Sequence, residues 1–203
     1  MFRPLSTLLT GILVLGIATT ASAGIDVVIN FDEDTDGVAV PHGTVINSLY
    51  APWGVTFSRT LDGTCGGGSD VFASSNCLFA PAPLSAPNVV SLCGPMTCTD
   101  ISENAHGLVV ASFNSPADIV CIEFVAVSPG MKGVLRAYDE DHALITSDTN
   151  ATDVEALCVT GSGIKSVEFS GEGSNFGWFD NMRISYQVVG VEPSTWSGVK
   201  ARF

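Results

Sequence analysis

From Ile25 onward the apolar residues come in short runs, with no stripe at helical spacing. The runs are Ile25–Phe31, Gly54–Arg59, Leu108–Phe113, Ile119–Val127, Gly133–Tyr138, Ala143–Ser147, Val154–Val159, Ile164–Phe169 and Met182–Val188. They are rich in Val, Ile, Phe and Tyr and are separated by Gly, Pro, Asp, Asn and Ser, which is the pattern of strands and turns. Several alternate. In Lys165-Ser166-Val167-Glu168-Phe169, Val167 and Phe169 share one face and the polar side chains the other. Ser128-Pro129-Gly130 and Asp139-Glu140-Asp141 carry turn chemistry and are expected to join neighbouring strands as hairpins. Many short strands at this spacing predict an all-β, antiparallel sandwich or barrel.

One stretch breaks the rhythm. Residues 60–105 hold four cysteines, Gly66-Gly67-Gly68 and Pro81, Pro83, Pro87 and Pro95. The expectation is a long Cys/Pro/Gly-rich loop without regular structure, either functional or an ornamented surface loop. No repeat and no interdomain linker is evident, so residues 24–188 read as one β-sandwich domain and 189–203 as a C-terminal tail.

The first residues follow a different rule. Arg3 precedes an apolar run from Leu8 to Ala18, and Ala21-Ser22-Ala23 follows. A charged start, an apolar segment too short to span a bilayer and a small-residue cleavage site read as a signal peptide over residues 1–23. A buried N-terminal helix is the competing reading. No later stretch has 18 uninterrupted apolar residues, so no transmembrane anchor is expected. The expected location is secreted, extracellular or at the cell surface.

Composition narrows the partners. In 203 residues, 46% hydrophobic content excludes wholesale disorder, and a net charge of −13 repels phosphate backbones and anionic lipid. Nucleic acid and membrane surfaces are therefore not expected partners. The six cysteines (Cys65, Cys77, Cys93, Cys98, Cys121 and Cys158) all lie after the leader and contain no C-x-x-C. An even count in an exported chain reads as three disulfides, with about fifteen connectivities open in principle. Cys121 and Cys158 each sit in a strand-like run, and Cys65 and Cys77 flank the glycine-rich segment. The pairing expected is Cys65–Cys77, Cys93–Cys98 and Cys121–Cys158, at ~2–4 kcal/mol each.

Candidate chemistry is concentrated in Asp32-Glu33-Asp34-Thr35-Asp36-Gly37. Asp at alternate positions before Gly is the opening of a calcium loop, because Ca²⁺ takes six to eight oxygens and the Gly permits the turn. The match stops there: Gly43 stands where an EF-hand needs a bidentate Glu, and Pro41 opposes a following helix. A carboxylate-lined calcium site of another kind and a solvated acidic turn remain the two readings. Trp178, Phe176, Tyr138, Trp53 and Tyr50 are the large aromatics able to stack on a sugar ring, or to fill a core. There is no Gly-x-Ser-x-Gly and no His-Glu-x-x-His, and neither a dinucleotide nor a Walker fingerprint is complete. Catalytic residues are not assigned, and the chain is not expected to be an enzyme. Asn150-Ala151-Thr152 is formally a glycosylation sequon.

Ile29-Asn30-Phe31-Asp32-Glu33, Gly43-Thr44-Val45-Ile46-Asn47 and Tyr50, leading to Gly54-Val55-Thr56-Phe57-Ser58, resemble the opening of a bacterial secreted β-sandwich family found among PEP-CTERM-type exported proteins. Gly133–Asp139 resembles its central hairpin. Ile164–Phe169, followed by Phe176-Gly177-Trp178-Phe179-Asp180-Asn181, resembles its ending. Related jelly rolls, including MAM-like and carbohydrate-binding domains, share an early strand ending in acids and a late strand carrying Asp-Asn. Val191-Glu192-Pro193-Ser194-Thr195-Trp196 resembles the start of a PEP-CTERM sorting signal, without the hydrophobic span that follows it in that pattern.

The resemblance implies a jelly roll with its first and last strands adjacent, which would bring Asp32 or Glu33 close to Asp180 around a structural Ca²⁺. The implied ligands are Asp32, Glu33 and Asp180, with Asp34 and Asp36 in reserve. Trp178-Phe179 stands before Asp180 where the family shows one aliphatic residue, and a one-residue shift would reverse the Asp180 side chain. The function implied is a non-catalytic binding or adhesion module that is stabilised by calcium. Its partner would be glycan or another cell-surface or matrix component, with Trp178, Tyr138 and Phe176 as contact residues. The alternatives are a structural cell-envelope or matrix protein without a small-molecule ligand, and a jelly-roll glycan hydrolase or lyase. The last needs two carboxylates ~5–10 Å apart across a cleft.

Overall fold

The computed structural model describes residues 24–61, 69–75, 85, 87–91, 107–126, 129–171 and 177–186. Residues 1–23, the tail 189–203, Phe176 and Cys65, Cys77, Cys93 and Cys98 lie outside this set, together with the expectations placed on them. The described elements are β1 (Ile25–Ile29), β2 (Val55–Leu61), β3 (Phe72–Ser74), β4 (Val89–Ser91), β5 (Gly107–Val125), β6 (Gly133–Tyr138), β7 (Leu144–Thr149), β8 (Val154–Gly171) and β9 (Trp178–Tyr186), with one short 3-10 turn at Ala51–Trp53. Every strand pair is antiparallel.

Hydrogen bonds connect the strands in the order β3-β4-β9-β5-β8-β6-β7, with β1 on β9 and β2 on β5. Two long strands turn this connected network into a sandwich. The first part of β5 pairs with β2 and with the last part of β8, while its last part pairs with β9 and with the first part of β8. One layer is therefore β1 and β4 on β9, then late β5 and early β8. The other is β2, early β5, late β8, β6 and β7. Phe169 of late β8 meets Phe179 of β9 with ring centroids 5.0 Å apart, which joins the two layers through one shared core.

The sequence pattern breaks β5 and β8 in two, and the structure keeps each continuous. Register jumps from Ser112↔Ser166 to Ala117↔Ile164, and again to Ile119↔Thr160. Residues 113–116 on β5 stand opposite Lys165 alone, and Gly161-Ser162-Gly163 on β8 stand opposite Asp118 alone. Pro116 has no N–H to give a ladder, and Gly163 takes φ +82°, so turn-forming residues here serve as bulges that bend a strand. The inward positions change parity across the bend, from Val109, Ala111 and Phe113 to Val120, Ile122 and Phe124.

Of four further expectations, two hold and two change. The Asp139 turn does join paired strands, with Asp139 Oδ1 accepting the N–H groups of Asp141 at 3.0 Å and Ala143 at 2.8 Å. The turn at Pro129-Gly130 does not: it leads from β5 to β6, and β8 lies between them. The 60–105 stretch is not wholly irregular, because it contains the end of β2 and the short strands β3 and β4. The β1–β9 pairing, Ile25↔Tyr186 through Ile29↔Met182, places the first and last strands side by side as the jelly-roll resemblance implies.

Candidate functional site

Two groups of polar side chains stand out, one buried at the β1–β9 end and one on an outer face. The first begins where β1 stops. Asn30 Oδ1 accepts the N–H groups of Asp32 at 3.1 Å and Glu33 at 3.2 Å, and Phe31 takes φ +57°, so the chain turns sharply with Phe31 in the core. Asn88, fully buried, donates through Nδ2 to the carbonyls of Phe31 at 3.0 Å and Val40 at 2.9 Å. Its own N–H donates to Asp32 Oδ1 at 2.6 Å.

Asp180 reaches the same place from β9. Between Cys121↔Arg183 and Glu123↔Asp180, Asn181 and Met182 together oppose Ile122, which is a β-bulge with Asn181 at φ +45°. Asn is among the few side chains that tolerate this left-handed backbone. Asn181 sends its carboxamide to Glu123 Oε2 at 2.7 Å, whereas Asp180 is fully buried. Asp180 Oδ2 accepts the N–H of Ser85 at 2.7 Å and lies 2.9 Å from its hydroxyl, and Oδ1 accepts the Asn181 N–H at 2.7 Å. Burial pushes the Asp180 carboxyl up to about 7, against these hydrogen bonds, and the Asp32 charge adds to the rise.

The remaining acids of the loop are placed differently. Asp34 Oδ1 accepts the N–H groups of Asp36 and Val38, each at 2.9 Å, and so closes its own turn. Glu33 and Asp36 are exposed. Tyr50 is a core residue whose hydroxyl donates to the Glu33 carbonyl at 3.1 Å. Burial raises its pKa, as do Asp32, Asp34 and Asp180. Of the five acids proposed as calcium ligands, the structure thus brings Asp32 and Asp180 together and leaves Glu33, Asp34 and Asp36 aside.

The donor set tests whether a calcium ion suits this place. Among the described residues no three His, Cys, Asp or Glu side chains form a metal-binding group. The corner offers the carboxylates of Asp32 and Asp180, whose oxygens accept the N–H groups of Asn88, Ser85 and Asn181, and Asn88 also carries a buried Oδ1 without a hydrogen-bond partner. Oxygens of these two kinds are the donor type that hard Ca²⁺ takes, and further oxygens would be needed to complete its six to eight.

The second group lies on the outside of the β2–β5–β8–β6–β7 layer. Register aligns Ser58, Val110, Glu168, Arg136 and Ser147 in one row across five strands, and Thr56, Ser112, Ser166, Tyr138 and Leu144 in the next. The Tyr138 hydroxyl donates to Glu168 Oε2 at 2.6 Å. Burial and the Glu168 carboxylate push that hydroxyl up to about 12, so it stays a neutral donor. His142, exposed on the β6–β7 turn at φ +60°, stacks on Tyr138 with centroids 4.6 Å apart and planes 15° from parallel. Its Nε2 lies 3.9 Å from Glu168 Oε1.

Tyr138 is therefore part of a polar constellation, while Trp178 is half-buried at the start of β9, opposite Val125. Trp53 is partly exposed and packs against Tyr50 at 5.9 Å. Asn150 of the sequon is 2% exposed, donates to the carbonyls of Met131 and Thr152, and accepts the Gly133 N–H, so it holds the β6 entry in place. Sequence reasoning missed Asn30, Ser85, Asn88, Glu168, Arg136 and His142. Glu168 and Arg136 carried a usable signal, because both occupy outward positions of alternating strands.

No protein-family model matches the chain, and no curated protein matches it. Among solved structures it is similar to the enzymatically active domain of tailspike protein 4 of bacteriophage CBA120. The two are 13% identical with a TM-score of 0.33, over 73% of this chain and 21% of that one. This chain thus spans about a fifth of the tailspike chain's length.

Proposed function

We propose that the protein is an exported, non-catalytic binding module that recognises a polyhydroxylated ligand, a glycan, on the outer face of the β2–β5–β8–β6–β7 layer. The observation that carries this reading is the Tyr138–His142 stack held against Glu168 and in line with Arg136. An aromatic stack offers a flat face to the C–H side of a sugar ring. A carboxylate and a guanidinium beside it accept from and donate to its hydroxyls. The hydroxyls of Thr56, Ser58, Ser112, Ser166 and Ser147 extend the same face across the layer.

Calcium has a structural part in this proposal. Asp32, Asp180 and the Asn88 carboxamide oxygen would hold it, and the ion would neutralise two close carboxylates where β1 leaves β9. The Cys121–Cys158 disulfide is in keeping with an oxidising, extracytoplasmic location.

The test is a polysaccharide and glycan-array screen of the folded, oxidised protein, in calcium and again in EDTA. Glycan binding that falls at least about tenfold in both Tyr138→Ala and Glu168→Gln, each with unchanged circular dichroism, is the expected result; such a loss is ~1.4 kcal/mol. Binding to nothing, or binding untouched by both variants, overturns the glycan reading in favour of a structural envelope or matrix role. A thermal midpoint unaffected by EDTA overturns the calcium part alone.

A further inference from the structure

A groove of about 420 Å³ crosses the outer face of the β1–β9–β5–β8 layer, lined by Val28, Cys121, Glu123, Cys158, Asn181 and Arg183. Register explains its floor: Val28↔Arg183, Arg183↔Cys121 and Cys121↔Cys158 form one row across four strands. The row places the Cys121–Cys158 disulfide between directly opposed residues with Cα atoms 4.1 Å apart. Leu157 and Val159, the chain neighbours of Cys158, are buried, whereas Cys158 is exposed and Cys121 half-buried. This disulfide is outside the core, on a surface that a small molecule can reach.

We propose that this groove is a thiol–disulfide exchange site that takes a small cationic thiol. The two sulfurs differ in their surroundings, which fixes the direction of reaction. Asp148 Oδ2 accepts the Cys158 N–H at 2.8 Å and so sets a carboxylate beside Cys158. Arg183, the cross-strand partner of Cys121, lines the same groove on the Cys121 side, with its guanidinium bound to Asp26 of β1 at 2.9 Å. A thiolate is favoured near the cation and disfavoured near the carboxylate. The incoming thiolate attacks Sγ of the exposed Cys158. A new sulfur–sulfur bond forms there, the Cys121–Cys158 bond breaks, and its electron pair leaves on Cys121, which then takes a proton from solvent. The incoming thiol is oxidised to the mixed disulfide and Cys121 is reduced, so electrons balance without another reagent. Asp26 offsets the Arg183 charge, which leaves Glu123 as the groove's unmatched charge, and with the net charge of −13 this favours an ammonium-bearing thiol over an anionic one.

The experiment treats the folded, oxidised full chain with cysteamine, and separately with glutathione, at mildly alkaline pH without denaturant. Free thiols are then blocked with N-ethylmaleimide and the peptides are mapped by mass spectrometry. The expected result is a cysteamine adduct on Cys158 with N-ethylmaleimide on Cys121, formed faster than the glutathione adduct. Arg183→Gln slows adduct formation about threefold, the effect of roughly one unit of leaving-group pKa at the usual Brønsted sensitivity. Asp26→Asn, which leaves Arg183 without its counter-ion, speeds it. Adducts that appear only after denaturation, or that map to Cys121 with Cys158 free, overturn the proposal, as does indifference of the rate to both variants.

Discussion

Asp32 and Asp180 fasten two points of one segment: Asp32 Oδ1 accepts the Asn88 N–H at 2.6 Å, and Asp180 Oδ2 accepts the Ser85 N–H at 2.7 Å. Neither acid is near the other in sequence. The antiparallel pairing of β1 with β9 brings them together, and the bulge at Asn181 sets Asp180 at the right point of β9. Ser85 and Asn88 lie outside the strands, so side-chain carboxylates supply acceptors that a neighbouring strand would otherwise provide. Two acids so close, one fully buried, are costly as a charged pair.

That cost predicts a dependence on pH. The Asp180 carboxyl lies near 3.8 when unfolded and about 7 when folded. Between these values the folded state binds more protons, so the Asp180 contribution is fully present below about pH 4 and declines as pH rises towards 7. Asp180→Asn, uncharged throughout, removes this slope even though it weakens one hydrogen bond. Thermal midpoints of the two proteins from pH 4 to 7 decide the matter. The wild type should lose ground steadily relative to the variant, and a constant difference would contradict the assignment.

Calcium bound as proposed would act on the same pair with the opposite sign at neutral pH. A ligand that binds only the folded state stabilises it by about 2.7 kcal/mol at one hundred times its dissociation constant. Adding CaCl₂ at pH 7.5 should raise the midpoint of the wild type and leave Asp32→Asn unmoved. At pH 4.5, with Asp180 protonated, the rise should shrink. Equal shifts at both pH values would place the ion elsewhere.

Asn88 tests the hydrogen-bond account of the same corner. Asn88→Ala leaves the Phe31 and Val40 carbonyls without their shared donor. Each buried carbonyl so orphaned costs about 1–2 kcal/mol, and the variant should be ~2–4 kcal/mol less stable by urea denaturation. A loss under about 1 kcal/mol would mean that water reaches this corner freely.

Most of the fold was legible in the sequence because alternation reports burial directly, as in Val167 and Phe169 facing in while Ser166 and Glu168 face out. The splitting of β5 and β8 has one cause. Pro116 and Gly163 are turn formers by composition, yet here they bend strands that stay paired on both sides of the bend, and only a partner strand distinguishes the two uses. The facing of Cys121 and Cys158 was readable from two strand-like runs, and the disulfide joins them. Ser85 and Asn88 had no such signal. They are single polar residues in a Cys/Pro-rich stretch, and their role depends on Asp32 and Asp180 arriving from elsewhere. Within the acidic motif, the same Asp-x-Asp spacing also serves a turn, which Asp34 closes by accepting the Asp36 and Val38 N–H groups.

The packing of Phe124 gives the sharpest test of the sandwich itself. Its ring is fully buried, 5.1 Å from Phe179, and a Cβ on Gly177 or Gly133 would come within 2.0 Å or 2.6 Å of it. No rotamer of alanine avoids such a contact, so Gly177→Ala must displace a core ring and should cost about 3 kcal/mol or more. Gly161→Ala also brings a Cβ to 2.6 Å of a neighbour, the Cγ2 of Ile145, so that half-buried, β-branched side chain must change rotamer, without a core ring being moved. Its cost should be smaller, about 1–2 kcal/mol. Phe124→Leu should recover part of the Gly177→Ala loss, since the two residues share one contact, and a double-mutant cycle reads that coupling. If the two alanine variants prove equally stable, Phe124 is not wedged against Gly177 and the seating of β9 on late β5 must differ from the one described.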